Sequence, residues 1–300
     1  RKLGYAAAIG VGLILLYSLF CVQIPTGQPV QYTFGQMYAL DGLALFFKRF
    51  FLLAALIVLL MSVEFADRIG SGIGEFYALI LFALSGMLFA SSANDFALLF
   101  VSLELITVTF YVLTSFQRGV LSSLEAGVKY LIIGALSTSF TVFGIALVYG
   151  ISHTLKFGEL AAVAAQFGGN KIFLFGLVLV LVGLGFKIAV VPFQIWAPDV
   201  YQGAPTPVTA FLAIGSKAAG FALLLRVLFI AVPDITAQWS NLLIILSAAS
   251  ILYGNLCAIP QRNLKRLLGY SSIAHAGYML LGIAALSTAG RSAVLYYLSG

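Results

Sequence analysis

Lys187-Ile-Ala-Val-Val-Pro-Phe-Gln-Ile-Trp-Ala-Pro-Asp-Val-Tyr-Gln-Gly-Ala-Pro-Thr-Pro207 holds four of the chain's eight prolines and overlaps the end of a long apolar run. That run, about residues 172–197, is long enough to cross a bilayer as a helix. Pro192 has no backbone N–H to give, and in a helix its ring collides with the carbonyl of Ile188, one residue beyond Lys187. A helix broken at membrane depth is tolerated where it lines a hydrated cavity, and such breaks mark ion sites in transporters. An ordinary proline kink is the plainer alternative. A lysine within one turn of the break weighs against it.

The rest of the composition agrees with a membrane setting. Of 300 residues, 62% are hydrophobic and only 9% charged, with a mean hydropathy of +1.08. Soluble globular chains carry roughly 25% charged residues. A water-soluble core of that apolar content is more than 300 residues can enclose. At about 20 residues per helix, the apolar residues suffice for about nine spans. The expected fold is an all-α polytopic membrane protein.

Apolar stretches of spanning length fall at about 3–22, 40–63, 75–92, 96–116, 124–150, 172–197, 206–232, 240–259 and 267–289, and a tenth starts near 293. Turn-forming residues separate them: Pro25, Gly27 and Pro29; Gly70 to Gly74; Asn94-Asp95; Arg118-Gly119; Gly168-Gly169; Pro233-Asp234; Pro260 to Asn263. Between Ser152 and Asn170, Leu155, Leu160, Val163 and Phe167 among polar neighbours predict a short amphipathic helix along the membrane surface. With Arg1 placed inside, the inner loops hold seven basic residues and the outer loops three, so the N-terminal end is expected in the cytoplasm. The first residue is Arg1, and Gly300 falls within an apolar run, so both ends are expected to be cuts through a longer protein.

Several functions are excluded. The net charge of +6 arises from 16 basic and 10 acidic residues and reads as topology bias, not as a nucleic-acid surface. Cys21 and Cys257 lack any ligand spacing and are expected as small buried hydrophobes. Two histidines, His153 and His275, cannot hold a haem between two helix-borne pairs. No P-loop, HExxH, GxSxG triad or strand-bound GxGxxG is present. The glycines are scattered through the helices, where they suit close packing.

The informative residues are ionisable groups far from span ends, because a charge at the bilayer centre costs at least ~2.5–3.5 kcal/mol. Glu104 lies mid-span, with Thr107 and Tyr111 following at i+3 and i+7 on one face. Lys187 and Lys217 lie deep in theirs, with Thr209 and Ser216 near Lys217. Lys129, about five residues into its span, can either snorkel to the headgroups or join this set. His275 reads equally as a packed core histidine or a proton relay. Lys48, Arg49, Arg226 and Arg291 read as interfacial anchors. Burial favours the neutral form of an amine, and a nearby carboxylate favours the ammonium form. One glutamate and two or three lysines in neighbouring spans are therefore the minimum for a proton relay; a static Glu104–Lys187 ion pair is the alternative.

Phe186-Lys187, then Val-Pro-Phe-x-x-Trp-x-Pro-Asp-Val-Tyr-x-Gly-Ala-Pro-Thr-Pro, then Gly215-Ser216-Lys217-Ala218-Ala219, resembles the antiporter-like proton-pumping membrane subunits of respiratory complex I. Asn263-Leu-Lys-Arg-Leu-Leu-Gly-Tyr-Ser-Ser-Ile-Ala-His-Ala-Gly-Tyr278 matches a second family signature, and the resemblance covers nearly the whole chain. It implies inverted five-helix repeats with a broken helix: peripheral helices over 1–74, a first repeat over 75–232 and the start of a second over 233–300. By the same resemblance Glu104, Lys129, Lys187 and Lys217 match the relay residues of successive helices. The implied role is that of a non-redox subunit of a proton-translocating NADH–quinone oxidoreductase, multi-pass in the bacterial inner membrane. FMN and iron–sulfur clusters would then belong to partner subunits, with no cofactor in this chain, and NADH and quinone would be met only through the complex. A stand-alone or Mrp-type cation/proton antiporter is the related alternative. The family commonly has histidine where this chain has Gln194, expected at i+7 from Lys187 on the same helical face. Glutamine orients water but does not titrate near neutral pH. If water carries the proton there, Gln194→His retains proton pumping, and a pumping-dead variant in the assembled complex refutes the idea.

Overall fold

Backbone amides and carbonyls inside a bilayer have only one another as partners, which confines a chain of this composition to helices. The computed structural model describes residues 1–23, 30–69 and 72–300 and is helical almost throughout. In order come α1 (Lys2–Phe20), two short strands β1 (Gln31–Thr33) and β2 (Tyr38–Leu40), α2 (Gly42–Phe65), α3 (Ile73–Ser91), α4 (Phe96–Thr114), α5 (Leu121–Ser152) and α6 (Phe157–Phe167). There follow α7 (Lys171–Ile188), α8 (Ala197–Gly203), α9 (Thr206–Phe211), α10 (Lys217–Arg226), α11 (Ser240–Ala258), α12 (Leu264–Ala284) and α13 (Thr288–Ser299). π turns at Leu212–Ser216 and Val227–Ala231 flank α10, so 206–231 runs as one continuous span. Among the described residues nine helices are long and apolar enough to cross a membrane, the number expected from composition. The turn at Pro25, Gly27 and Pro29, and the Gly70 end of the next one, lie outside the described residues.

Span starts follow capping chemistry. Asp41, Asp95, Asn170, Asn263 and Ser287 each accept a hydrogen bond from a first-turn amide of the helix they precede. The surface helix forms as α6, with Phe157, Leu160 and Ala164 turned to the core. In its first turn Glu159 takes hydrogen bonds from Thr154 (2.5 Å) and Lys156 (3.0 Å), which hold its carboxyl below the usual carboxylate range. The hairpin was not apparent in the sequence. β1 pairs antiparallel with β2, and the main chain then stitches it to two loops: Ala39 N–H to the Ser92 carbonyl (2.9 Å), Asn94 N–H to Met37 (2.8 Å) and Phe157 N–H to Asn94 (3.1 Å).

α10 is buried on every side, as befits a helix apolar all round. α7 packs on both α10 and α5. The α5–α7 approach relies on paired glycines: a Cβ on Gly144 would lie 2.6 Å from the Gly176 carbonyl, and one on Gly176 2.9 Å from that of Gly144. α1, α5 and α11 turn Leu13, Ile132, Leu136, Ile245 and Leu252 outward, the apolar face a lipid phase demands.

Two expectations need correction. Cys21 is exposed at the end of α1 and Cys257 is half-buried, so neither is a core thiol. Arg226 is no interfacial anchor, since it is 0% exposed. Its Nη2 lies 2.9 Å from the Asp41 carboxylate and its Nε donates to the Ser91 carbonyl at 2.7 Å. A guanidinium near a span end escapes the snorkelling rule when neighbouring elements supply its acceptors. The pair ties the end of α10 to the start of α2 and the end of α3. Breaking a buried pair on one side costs about 3–5 kcal/mol. Arg226→Met is thus expected to lower the melting temperature in detergent. Adding Asp41→Asn, which keeps the α2 cap, recovers part of the loss.

Candidate functional site

The break after Lys187 is closed by the chain's own groups. α7 ends at Ile188 with Ala189 in the left-handed region (φ 58°), a conformation a side chain rarely adopts. The Trp196 indole donates to the Phe186 carbonyl at 3.1 Å, and Val191 N–H donates to Ser250 Oγ of α11 at 3.0 Å. The span therefore stops nine residues short of the expected 197. Gln194 accordingly does not continue a helical face from Lys187. It lies in the non-helical link, buried, with Oε1 unpartnered.

Lys187 is 1% exposed and donates to Thr107 Oγ1 at 2.7 Å. Thr107 stands three residues after Glu104 on α4, and Glu104 Oε1 accepts from Thr138 of α5 at 2.7 Å. The static Glu104–Lys187 pair is not formed, and a threonine intervenes. On its other side the Lys187 stem packs on α10, where a Cβ on Gly220 would lie 3.3 Å from Lys187 Cγ. Gly220 is one turn beyond Lys217 on that helix, so both lysines border one helix interface. Lys217, 3% exposed, donates to the Ser272 carbonyl at 2.9 Å and to Ser272 Oγ, with its Nζ 5.7 Å from the centre of the Tyr201 ring. Tyr111 and Tyr130, rings 5.1 Å apart, fill the space beside Glu104's stripe, their hydroxyls buried and unpartnered like that of Ser216.

Lys129 and His275 lie at the margins. Lys129 reaches Glu125 and Asp199, both at 2.7 Å, and Arg266 also contacts Asp199. This cluster borders a cavity of about 190 Å³ and places Lys129 apart from the two deep lysines. Asp199 was not anticipated as a member, although Pro198-Asp199 opening α8 is an acid in a helix first turn. His275 is not a packed core residue. It is exposed to a cavity of about 770 Å³ shared with Lys217 and Ser272, with Nδ1 2.6 Å from the Tyr297 hydroxyl. Among the described residues no cluster of histidine, cysteine, aspartate and glutamate could hold a metal ion.

Residues 93–299 match the family model described as NADH:quinone oxidoreductase/Mrp antiporter, TM. NADH-quinone oxidoreductase subunit N of Trichlorobacter lovleyi is 46% identical over 268 residues, covering 89% of this chain and 55% of that protein. Subunit N of Dehalococcoides mccartyi is 41% identical, covering 99% of the chain and 63% of that protein. The chain thus spans little more than half the length of these curated relatives. Respiratory complex I from Thermus thermophilus with bound aureothin contains a chain of 40% identity that superposes with a TM-score of 0.80, over 99% of this chain and 61% of that one. The Mrp complex of a Dietzia species superposes at 0.85 with 21% identity over 99% of this chain and 57% of that one, a likeness of fold alone. The chain belongs to the NADH:quinone oxidoreductase/Mrp antiporter family of membrane proteins.

Proposed function

We propose that the chain translocates protons as a non-redox membrane subunit of an NADH–quinone oxidoreductase, driven by electron transfer in partner subunits. The observation that carries this reading is Lys187, wholly buried at a broken helix and hydrogen-bonded to the helix that bears Glu104. An amine so placed changes its proton affinity whenever the carboxylate or the break moves by an ångström or two. Glu104, Lys187 and Lys217 form the row, His275 continues it beyond Lys217, and Lys129 stands with Asp199 at one mouth. FMN and iron–sulfur clusters belong to the partner subunits. NADH and quinone are met only through the complex, whose other membrane subunits flank this one.

The protein is multi-pass in the bacterial inner membrane, with Arg1 on the cytoplasmic side. That orientation puts the Lys129–Asp199–Arg266 cluster toward the cytoplasm and the β1–β2 hairpin on the opposite face. Residues 1–74 form peripheral helices, 75–232 a first five-helix repeat and 233–300 the start of a second. An Mrp-type or stand-alone cation/proton antiporter is the competing reading. Purification from the native membrane separates the two: co-purifying NADH–quinone activity supports the first, isolated cation/proton exchange the second.

In the assembled complex, Lys187→Ala is expected to lower NADH-driven proton translocation by about tenfold or more. Unchanged pumping would leave the chain an inert scaffold. Thr107→Val removes the one hydrogen bond on the Lys187 amine, a loss of about 1.5–3 kcal/mol for a charged donor. Pumping falls by about tenfold and Thr107→Ser recovers it, as read by vesicle acidification.

A further inference from the structure

Lys217 lies buried mid-span, yet among the described residues none of the ion pairs includes it. An ammonium in that position needs acceptors from somewhere. Three uncharged ones surround it: the Ser272 carbonyl at 2.9 Å, Ser272 Oγ, and the face of Tyr201 with its centre 5.7 Å away. The Ser272 hydroxyl has a second partner. It donates its hydrogen to the Tyr201 hydroxyl at 3.2 Å, so toward Lys217 it offers only lone pairs. A carbonyl oxygen, a hydroxyl lone pair and an aromatic face all favour a cation over a neutral amine.

Lys187 is held differently, one turn along α4 from Glu104. Its described partner is the Thr107 hydroxyl, which itself donates to the Leu103 carbonyl at 2.6 Å. The two amines border the same interface through Gly220.

We propose that Ser272 and Tyr201 are positioning residues of the relay, forming a cradle that holds the ammonium of Lys217 against α12. The inference rests on the relay reading above. His275 of α12, Tyr297 of α13 and the apolar Phe50 of α2 line the same cavity as Lys217; along the span that carries Lys217, Met87 of α3 lies against Gly215 and Lys187 of α7 against Gly220, with Glu104 of α4 beyond Thr107.

The test is NADH-driven proton translocation against pH, measured with the assembled complex in vesicles. Lys217→Ala comes first. If it pumps normally, the relay reading falls and the cradle with it. If it abolishes pumping, the cradle is read from its own variants. Ser272→Ala and Tyr201→Leu each remove acceptors of the ammonium, so the proton leaves at lower pH and the alkaline limb of the profile moves to lower pH by about one unit. Ser272→Thr, which keeps the hydroxyl, restores the limb. Tyr201→Phe keeps the ring face but frees the Ser272 hydroxyl, giving a smaller shift in the same direction. If Ser272→Ala does not assemble, Tyr201→Phe carries the comparison. A limb that stays in place in the assembled variants overturns the cradle while leaving the relay standing.

Discussion

The amides and carbonyls freed where α7 stops at Ile188 must find partners, and the way they are satisfied governs the centre of this molecule. Trp196 folds back to take the Phe186 carbonyl, and Ser250 reaches across from α11 to receive the Val191 amide. Both contacts lie within a few residues of Lys187. The break is thus tied by hydrogen bonds on both sides of Lys187. α11, which packs on α12 and turns its other face outward, becomes part of the lysine's support through a single hydroxyl.

Around that bracket the polar side chains are arranged as neighbours in series. Glu104 meets Thr138, Thr107 meets Lys187, and Lys217 meets Ser272, each contact between different helices. Among the described residues no direct ion pair short-circuits the row. A tight Glu–Lys pair would trap its proton, because separating charges in a medium of low dielectric is costly. In the proposed relay the Thr107 hydroxyl stands between the Lys187 amine and the helix turn that bears Glu104.

Much of this was legible beforehand. Composition gave the number of spans, and the depth of Glu104, Lys187 and Lys217 in apolar runs singled them out because such charges are expensive to bury. The Glu104–Thr107–Tyr111 stripe pointed inward as the 3.6-residue period required. Partners from distant helices were not legible: nothing local marks Thr138, Ser272 or Asp199 as ends of contacts spanning tens of residues. The break was placed at the proline, whereas the helix ends earlier, at a left-handed alanine that no propensity favours. Arg226 was read from its depth alone, while its burial depends on Asp41 and Ser91, both distant in sequence.

The hairpin seam holds together the starts of α2, α4 and α6 by main-chain groups: Ala39 to Ser92, Asn94 to Met37, Phe157 to Asn94. Bonds of this kind ignore side-chain identity. Ala39, Ser92, Asn94 and Phe157 are buried, whereas the exposed residues of β1 make none of these bonds, so only at the seam itself does a substitution, proline above all, unpick it. The exposed strand opposite the Lys129 cluster can thus change its surface chemistry without loosening the helix that carries Glu104.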